Sequence, residues 1–372
     1  MISDALRIVV ISDIHLGHPN TTTVEILNNL NRAFPNDYRF ADIDLIFIAG
    51  DVFDRLMHLP DPNVIEIRIW ISRFLRICQK HNVVLRVLEG TPSHDWKQSR
   101  LWTHLNDLAK IGTDVAYVET LSVEWLSKFG IHVLYIPDEW TPEPDETWLD
   151  VQKVLAAERL EQVDFVVMHG HFGHQLPAQA NIPSHDSDRY HSITRYLIFI
   201  GHIHIHSIQG RILAPGSFDR LTHGEESPKG YLDVTVRKTG NHDLRFVENT
   251  GAKKYVTLTC RGTDVAKTLS RLEKRLNVLP PKSFVRIEAV KGDPILASLE
   301  VLKRGFPLLR FSLKVAGTGE ITSQALIDLK SRYSPVALTA QNIQKLLLDR
   351  LQSQGVSEEV LKHAAEVLSA YC

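Results

Sequence analysis

The chain has 372 residues, 44% apolar and 23% charged, with a formal net charge of −2. That composition excludes a disordered or fibrous chain, and the length predicts two or three domains. Cys78, Cys260 and Cys372 lie far apart with no Cys-x-x-Cys spacing, which argues against a thiolate zinc site or disulfide framework and fits a reducing cytoplasm.

In chain order, residues 8–11 read as a buried strand and are followed by Asp13-Ile14-His15. A helix is predicted over 23–34, then a strand over 45–48 that runs into Gly50-Asp51-Val52-Phe53-Asp54. After Asp61-Pro62 comes a second helix, with Ile65, Ile69, Phe74 and Ile77 as its apolar face. A strand over 83–88 leads into Gly90-Thr91-Pro92-Ser93-His94-Asp95. A helix over 100–110, strands near 115, near 123 and over 131–136, and a helix over 147–160 follow. The strand over 165–168 ends at His169-Gly170-His171, the polar stretch 177–191 reads as a loop, and the strand over 197–200 ends at Gly201-His202-Ile203-His204. Strands over 208–213, 230–236 and 243–247 complete an α/β layered core, β-sheets flanked by helices. No apolar stretch has the length of a signal peptide or membrane span, so no membrane association is expected.

A new unit begins near 253: strand 255–260, helix 264–276, strand 283–290, helix 295–304 and strand 308–315. Gly317-Thr318-Gly319 reads as its exit, followed by helices over 324–332, 340–352 and 358–368. The predicted domains are therefore 1–252, 253–316 as a small β/α unit, and 317–372 as a helical region. The amphipathic tail either packs on its own domain or docks a partner.

Charge and histidine are unevenly spread. Residues 253–350 hold 18 Lys and Arg against 8 Asp and Glu, a net of +10, while the rest of the chain carries −12. Such a block is either a surface for a polyanion or a set of solvated helix faces. Of 18 histidines, 16 precede residue 224, which confines metal chemistry to the first two-thirds.

Five Asp/His motifs, each just after a buried strand, converge on one crevice if the strands are neighbours. Imidazole and carboxylate suit manganese, iron or zinc, and two such ions can clamp the oxygens of a displacement at phosphorus. Taken singly, each residue has a plainer reading. Asp-x-His is a common turn, Asp54 reads as a helix cap, His171 and His174 as loop residues, and His206 as a second-layer or solvated residue. The order and placement of all five motifs together point to a dinuclear site.

These residues resemble the signature of calcineurin-like metallophosphoesterases: D-x-H, G-D-x-x-D, G-N-H-D, H and G-H-x-H, with Ala214-Pro215-Gly216-Ser217 similar to the closing turn. The resemblance implies that Asp13, His15, Asp51 and His204 hold one ion. It implies that Asp51 bridges to a second ion, also held by His169 and His202, and that His94 contacts the phosphate and aids the leaving group. The third motif departs from the pattern, with two extra residues and no Asn; either the Ser93 hydroxyl or a water fills that position. Asp95 either orients His94 or caps the following helix.

Over the whole chain the arrangement resembles the SbcD nuclease family, and the third motif resembles its bacteriophage members. This implies a manganese-dependent exo/endonuclease acting on double-stranded DNA, a homodimer, an SbcC-like coiled-coil ATPase partner bound by the C-terminal helices, and a cytoplasmic (for a phage protein, host-cytoplasmic) location. The alternatives are a free-standing phosphodiesterase for a small or cyclic phosphoester and a scaffold whose metal site has decayed.

Overall fold

Strand alternation decides the layers. The computed structural model describes residues 5–35, 40–58, 60–138, 143–177, 180, 182–260, 264–290, 292–293, 295–316, 348 and 360–365. The elements run β1 (Ala5–Ile11), α1 (Thr23–Ala33), β2 (Leu45–Ala49), α2 (Pro62–Lys80), β3 (Val84–Leu88), α3 (Pro92–Asp95), α4 (Leu101–Leu108) and β4 (Val115–Val118). They continue with β5 (Ser122–Leu126), β6 (Ile131–Ile136), α5 (Pro144–Ala157), β7 (Val163–Gly170), α6 (Ser187–Ile193) and β8 (Thr194–His202). The hairpin β9 (Ser207–Gln209) and β10 (Ile212–Ala214) precedes β11 (Gly230–Arg237) and β12 (His242–Glu248). One sheet has the order β12-β11-β1-β2-β3-β4, the other β5-β6-β7-β8-β10-β9.

In β1, Leu6, Ile8 and Val10 face the second sheet, meeting a cluster that includes Val133, Phe165 and Phe199. The alternate residues Val9 and Ile11 pack under α1 and α2 with Ile26, Leu30, Ile71 and Phe74. The outer face of the second sheet, with Leu134, Val166 and Ile198, is covered by Val151 and Leu155 of α5 and Tyr190 of α6. The result is a four-layer α/β/β/α core, and strands buried on both faces explain the unbroken apolar runs in the sequence. β1, β2 and β3 are parallel to one another, as are β6, β7 and β8. Their carboxyl ends therefore emerge together.

A third sheet, β13 (Tyr255–Thr259), β14 (Phe284–Val290) and β15 (Arg310–Ala316), carries α7 (Val265–Leu276) and α8 (Ile295–Gly305). It has its own core, including Leu258, Leu272, Val285, Ile287 and Leu299. Met1–Val315 forms one compact unit and Ala316–Cys372 a second. In the second, residues 348 and 360–365 are helical. The exit at 317–319, the helix at 324–332, that at 340–352 apart from residue 348, and residues 358–359 and 366–368 of the last lie outside the described residues. No helix among the described residues is long and apolar enough to cross a membrane.

Three local expectations change. Ile65 and Ile69 are 61% and 58% exposed, and α2 instead buries Ile67, Trp70, Ile71, Phe74, Leu75, Ile77 and Cys78. The stripe anchored on Trp70 wins because it places the largest ring in the core. The stretch 177–191 holds the start of α6, nucleated where the Asp186 side chain accepts from the amides of Asp188 and Arg189. The strand over 208–213 is a hairpin, with Gly210 at φ +57° at its turn.

Asp219, after β10, is fully buried and both its oxygens accept from Asn29 Nδ2, at 3.0 and 3.1 Å. Burial pushes its carboxyl up to about 7, outweighing the hydrogen bonds from Asn29 and Asn249. The folded state then binds the proton more tightly than the unfolded one, so this group's stabilising contribution is full below about pH 4 and is lost as pH rises to about 7. Chemical denaturation of wild type and Asp219→Asn across pH 4–8 is expected to show the wild type losing on the order of 3–4 kcal/mol relative to the variant. A parallel pH profile for the two proteins would contradict this.

Candidate metal centre

Close backbone approach comes first. A Cβ on Gly50 would lie 2.2 Å from His169 Nδ1, one on Gly90 2.1 Å from Asp51 N, and one on Gly201 2.2 Å from Ala49 O. Only glycine lets these strand ends pass so closely. Beyond them the chain turns through left-handed backbone at Asp13 (φ +51°), His15 (+54°), Asp51 (+50°) and His202 (+100°). Such conformations cost about 1–3 kcal/mol each for a residue with a Cβ. Backbone bonds continue past the strands, from Asp13 N to Gly50 O (3.1 Å) and from Ile14 N to Asp51 O (2.8 Å).

The turns gather the predicted residues. Asp13, His15 and His204 form one group, Asp51, His169 and His202 another, and His15, Asp51 and His94 a third, with donor atoms in each within 4.8 Å of one another. His15 Nε2 and His204 Nε2 are 3.1 Å apart, with Asp13 Oδ1 3.7 Å from His204 Nε2. Asp51 Oδ1 is 3.4 Å from His169 Nε2, and Asp51 Oδ2 is 3.7 Å from His15 Nε2. Asp51 thus faces both groups, the position a bridging carboxylate requires. The Asp13 carboxylate also accepts from the amide of His202, at 3.0 and 3.1 Å, which ties the two sheets at the site.

The donor set fits divalent ions for a reason visible in the outer nitrogens. His204 Nδ1 donates to Glu225 Oε1 at 2.9 Å, and His169 Nδ1 to the Ala49 carbonyl at 2.8 Å. Asp54 Oδ1 lies 3.1 Å from His15 Nδ1, close but poorly aligned for a hydrogen bond. A proton held on Nδ1 leaves a lone pair on Nε2, and outer carboxylates or carbonyls of this kind orient metal-bound histidines. Two imidazole lone pairs facing each other across 3.1 Å repel unless a cation or a proton lies between them. Burial opposes ionisation of Asp51, yet the charges and hydrogen bonds of His169, His94 and His15 hold its carboxyl well below the usual range. His169 is pushed up to about 10, where burial is outweighed by Asp51. The centre is a crevice where buried carboxylates face imidazoles.

The third motif is arranged differently from the sequence reading. Ser93 is exposed, and its carbonyl accepts from Trp96 Nε1 at 2.7 Å. The structure does not bring its hydroxyl into the cluster. Thr91 stands there instead, with Oγ1 3.3 Å from Asp51 Oδ2, 3.3 Å from His169 Nε2 and 3.4 Å from His202 Nδ1. His94 Nδ1 is 3.0 Å from Asp51 Oδ2, and its side chain is 38% exposed. Asp95 neither orients His94 nor caps a helix over 96–110. Its two oxygens accept from the amides of Phe53 and Gly90, both at 2.8 Å, and Trp96 and Lys97 are left-handed before α4 begins. Burial, then Asp51 and Glu89, push Asp95 well above the usual carboxyl range. The two buried carboxyls are thus shifted in opposite directions.

Asp54 proves to be a partner of His15 rather than a helix cap. Glu225 was not anticipated at all, since nothing local ties it to a histidine 21 positions earlier. His171 stacks on His202 with ring centroids 5.6 Å apart, and His206 donates from Nδ1 to the Ala214 carbonyl at 2.7 Å, outside the cluster. His174 lies in a short turn, Gly173–Gln175.

Residues 6–206 match the model of the calcineurin-like phosphoesterase family. No curated protein matches the chain. Among solved structures, TT1561 of Thermus thermophilus is 13% identical with a TM-score of 0.39, covering 65% of this chain and 99% of that one. GAP50, the anchor in the inner membrane complex of Plasmodium, is 13% identical with a TM-score of 0.38, covering 67% of this chain and 86% of that one.

Thr91, not Ser93, has its hydroxyl within 3.4 Å of Asp51, His169 and His202. Thr91→Val is expected to weaken one of two Mn2+ binding events about 10-fold or more in a calorimetric titration, while Ser93→Ala leaves both unchanged. The reverse pattern would restore Ser93.

Proposed function

Because the chain belongs to the calcineurin-like phosphoesterase family, we propose that it is a metal-dependent DNA nuclease, hydrolysing phosphodiesters at double-stranded ends as the nuclease subunit of an SbcC–SbcD-like complex. The observation that carries the hydrolase part is the convergence of Asp13, His15, His204, Asp51, His169 and His202 at neighbouring strand ends. Two divalent ions, manganese in this reading, would neutralise charge developing on the phosphoryl oxygens and activate water when bound. Asp13, His15 and His204 would hold the first, His169, His202 and Thr91 the second, with Asp51 facing both groups. His94, partly exposed and fixed through Nδ1 by Asp51, keeps Nε2 to protonate the departing sugar oxygen.

DNA as substrate is supported by the third sheet's unit. Lys267, Arg271, Lys274 and Arg275 are all exposed on α7, at spacings that put them along one side of the helix. Their role is backbone attraction, independent of sequence. A homodimer through the phosphoesterase core belongs to the same reading, and exposed Ile65 and Ile69 supply apolar surface for it. An ATPase docked on the region beyond 316 completes the proposal, in a reducing cytoplasm that suits the buried free thiols of Cys78 and Cys260.

One observation favours the second reading, a phosphodiesterase for a small or cyclic ester. A cavity of about 220 Å³ opens beside His169 and His202, lined further by Ile136, Pro137, Pro144 and Thr147, with no Lys or Arg among its described lining residues. It has room for an uncharged organic group.

End-labelled linear duplex DNA incubated with the protein and Mn2+ is expected to be degraded, with loss of cleavage on chelation and a roughly 10²- to 10⁴-fold lower rate in His94→Ala. Cleavage of a small diester but not of DNA, with or without the ATPase, would select the second reading. Reversing Arg271, Lys274 and Arg275 to Glu should weaken DNA binding and flatten its salt dependence by about 0.9 in log–log slope per lost phosphate contact. An unchanged slope would remove α7 from the DNA path.

A further inference from the structure

Behind His204 the Glu225 carboxylate belongs to a larger buried assembly. The Lys229 side chain has no exposure, and its Nζ donates to the His204 carbonyl at 2.7 Å and to Ser217 Oγ at 2.8 Å, and pairs with Glu225 Oε2 at 3.1 Å. Glu225, 11% exposed, accepts from His204 Nδ1 through Oε1 and from the Leu221 amide through Oε2, at 2.9 and 3.1 Å. His204 is therefore gripped twice, at its carbonyl by Lys229 and at its ring by Glu225, and the two grips bond each other. A buried ion pair is weak evidence for stability, because desolvating both charges offsets their attraction. What this pair does achieve is specific. Glu225 fixes the proton on Nδ1, and Lys229 fixes the backbone from which the ring projects, so that Nε2 is aimed at the point shared with His15 Nε2 and Asp13 Oδ1.

We propose that Glu225 and Lys229 are positioning residues for the first ion, presetting the tautomer and direction of His204. The proposal rests on Asp13, His15 and His204 being that ion's holders. A purely structural role predicts a loss of folding stability with no preference between the two ions, whereas a positioning role predicts a selective loss at one.

The test uses the full chain and Mn2+. Removing Glu225 alone strands a buried ammonium, so the main variant is the double replacement Glu225→Met with Lys229→Met, which removes both charges at similar volume. Glu225→Gln, which keeps an acceptor for His204, is the second variant. Calorimetric titration of the double variant is expected to show one Mn2+ affinity unchanged and the other reduced roughly 10- to 100-fold, with Glu225→Gln losing less. In nitrogen-15 imidazole spectra of the metal-free proteins, the wild type should show His204 protonated on Nδ1 and the double variant a mixture of tautomers. Unchanged affinities for both ions in the folded double variant, or an equal loss at both, would overturn the proposal. A wild type that binds no ion while retaining the single tautomer would instead remove the ion-holding assignment on which it rests.

Discussion

The centre depends on how closely the ends of β2, β3 and β8 pass each other. At Gly50, Gly90 and Gly201 a single added carbon would collide with a ligand ring or with backbone at 2.1–2.2 Å. A side chain at Gly201 would meet the Ala49 carbonyl, and backbone in the middle of a two-sheet core has nowhere to shift. This contact distance brings carboxylates from one sheet within reach of imidazoles from the other. It also explains the left-handed turns at Asp13, His15, Asp51 and His202, because a chain leaving so crowded an edge must bend sharply. The cost of those turns is met by the packed sheets beneath them and by Asp95, which holds the amides of Phe53 and Gly90 and so binds the loops after β2 and β3 together.

Protonation divides the work between neighbouring acids. Asp51 and Asp95 are both buried, but Asp51 faces His15, His94 and His169, while Asp95 faces two backbone amides and the charge of Asp51. Environment thus drives the two carboxyls in opposite directions, Asp51 toward the charged form and Asp95 toward the neutral one. The proximity of Asp95 to His94 in sequence does not become a contact in space, because His94 turns toward Asp51 and Asp95 turns beneath the loop.

Much of this was readable from the chain because strands buried on both faces leave unbroken apolar runs, and the polar residues that follow them stand out. Ile131–Ile136 is the clearest case, with predicted and observed bounds identical. Linear spacing says less where local geometry rotates the side chain. Ser93 adjoins His94, but Pro92 opens the helical turn α3, and each step along a helix swings the side chain by about 100°. Thr91, at the N-cap, stays at the strand end and keeps its hydroxyl in the crevice. On α2 apolar residues occur on more than one side, so periodicity alone could not choose between the stripe through Ile65 and Ile69 and the one through Trp70. Glu225 had no local signal, since only the folded chain brings it to His204.

The loop that supplies Glu225 also borders the third sheet, and adjacent residues serve opposite sides. Glu225 holds His204, whereas Glu226 Oε1 accepts from the Thr257 amide of β13 at 3.4 Å. His223 lies edge-on to Tyr255, and the Arg220 carbonyl accepts from Thr21 Oγ1, itself 3.0 Å from the Tyr255 hydroxyl. The loop is stiffened from within by two buried cations: Arg220, which donates to the carbonyls of Ala252 and Ser227, and Lys229, which donates to that of His204. A segment that merely connected two strands would not need either charge, given the desolvation each requires. A segment that must keep a ligand ring in register while bearing on a neighbouring domain does. Any free energy by which an ion at Asp13, His15 and His204 favours one setting of this loop must, by linkage, equal that by which the same setting favours the ion. The seam with the third sheet and the Asp13, His15 and His204 group are therefore joined by one short piece of chain.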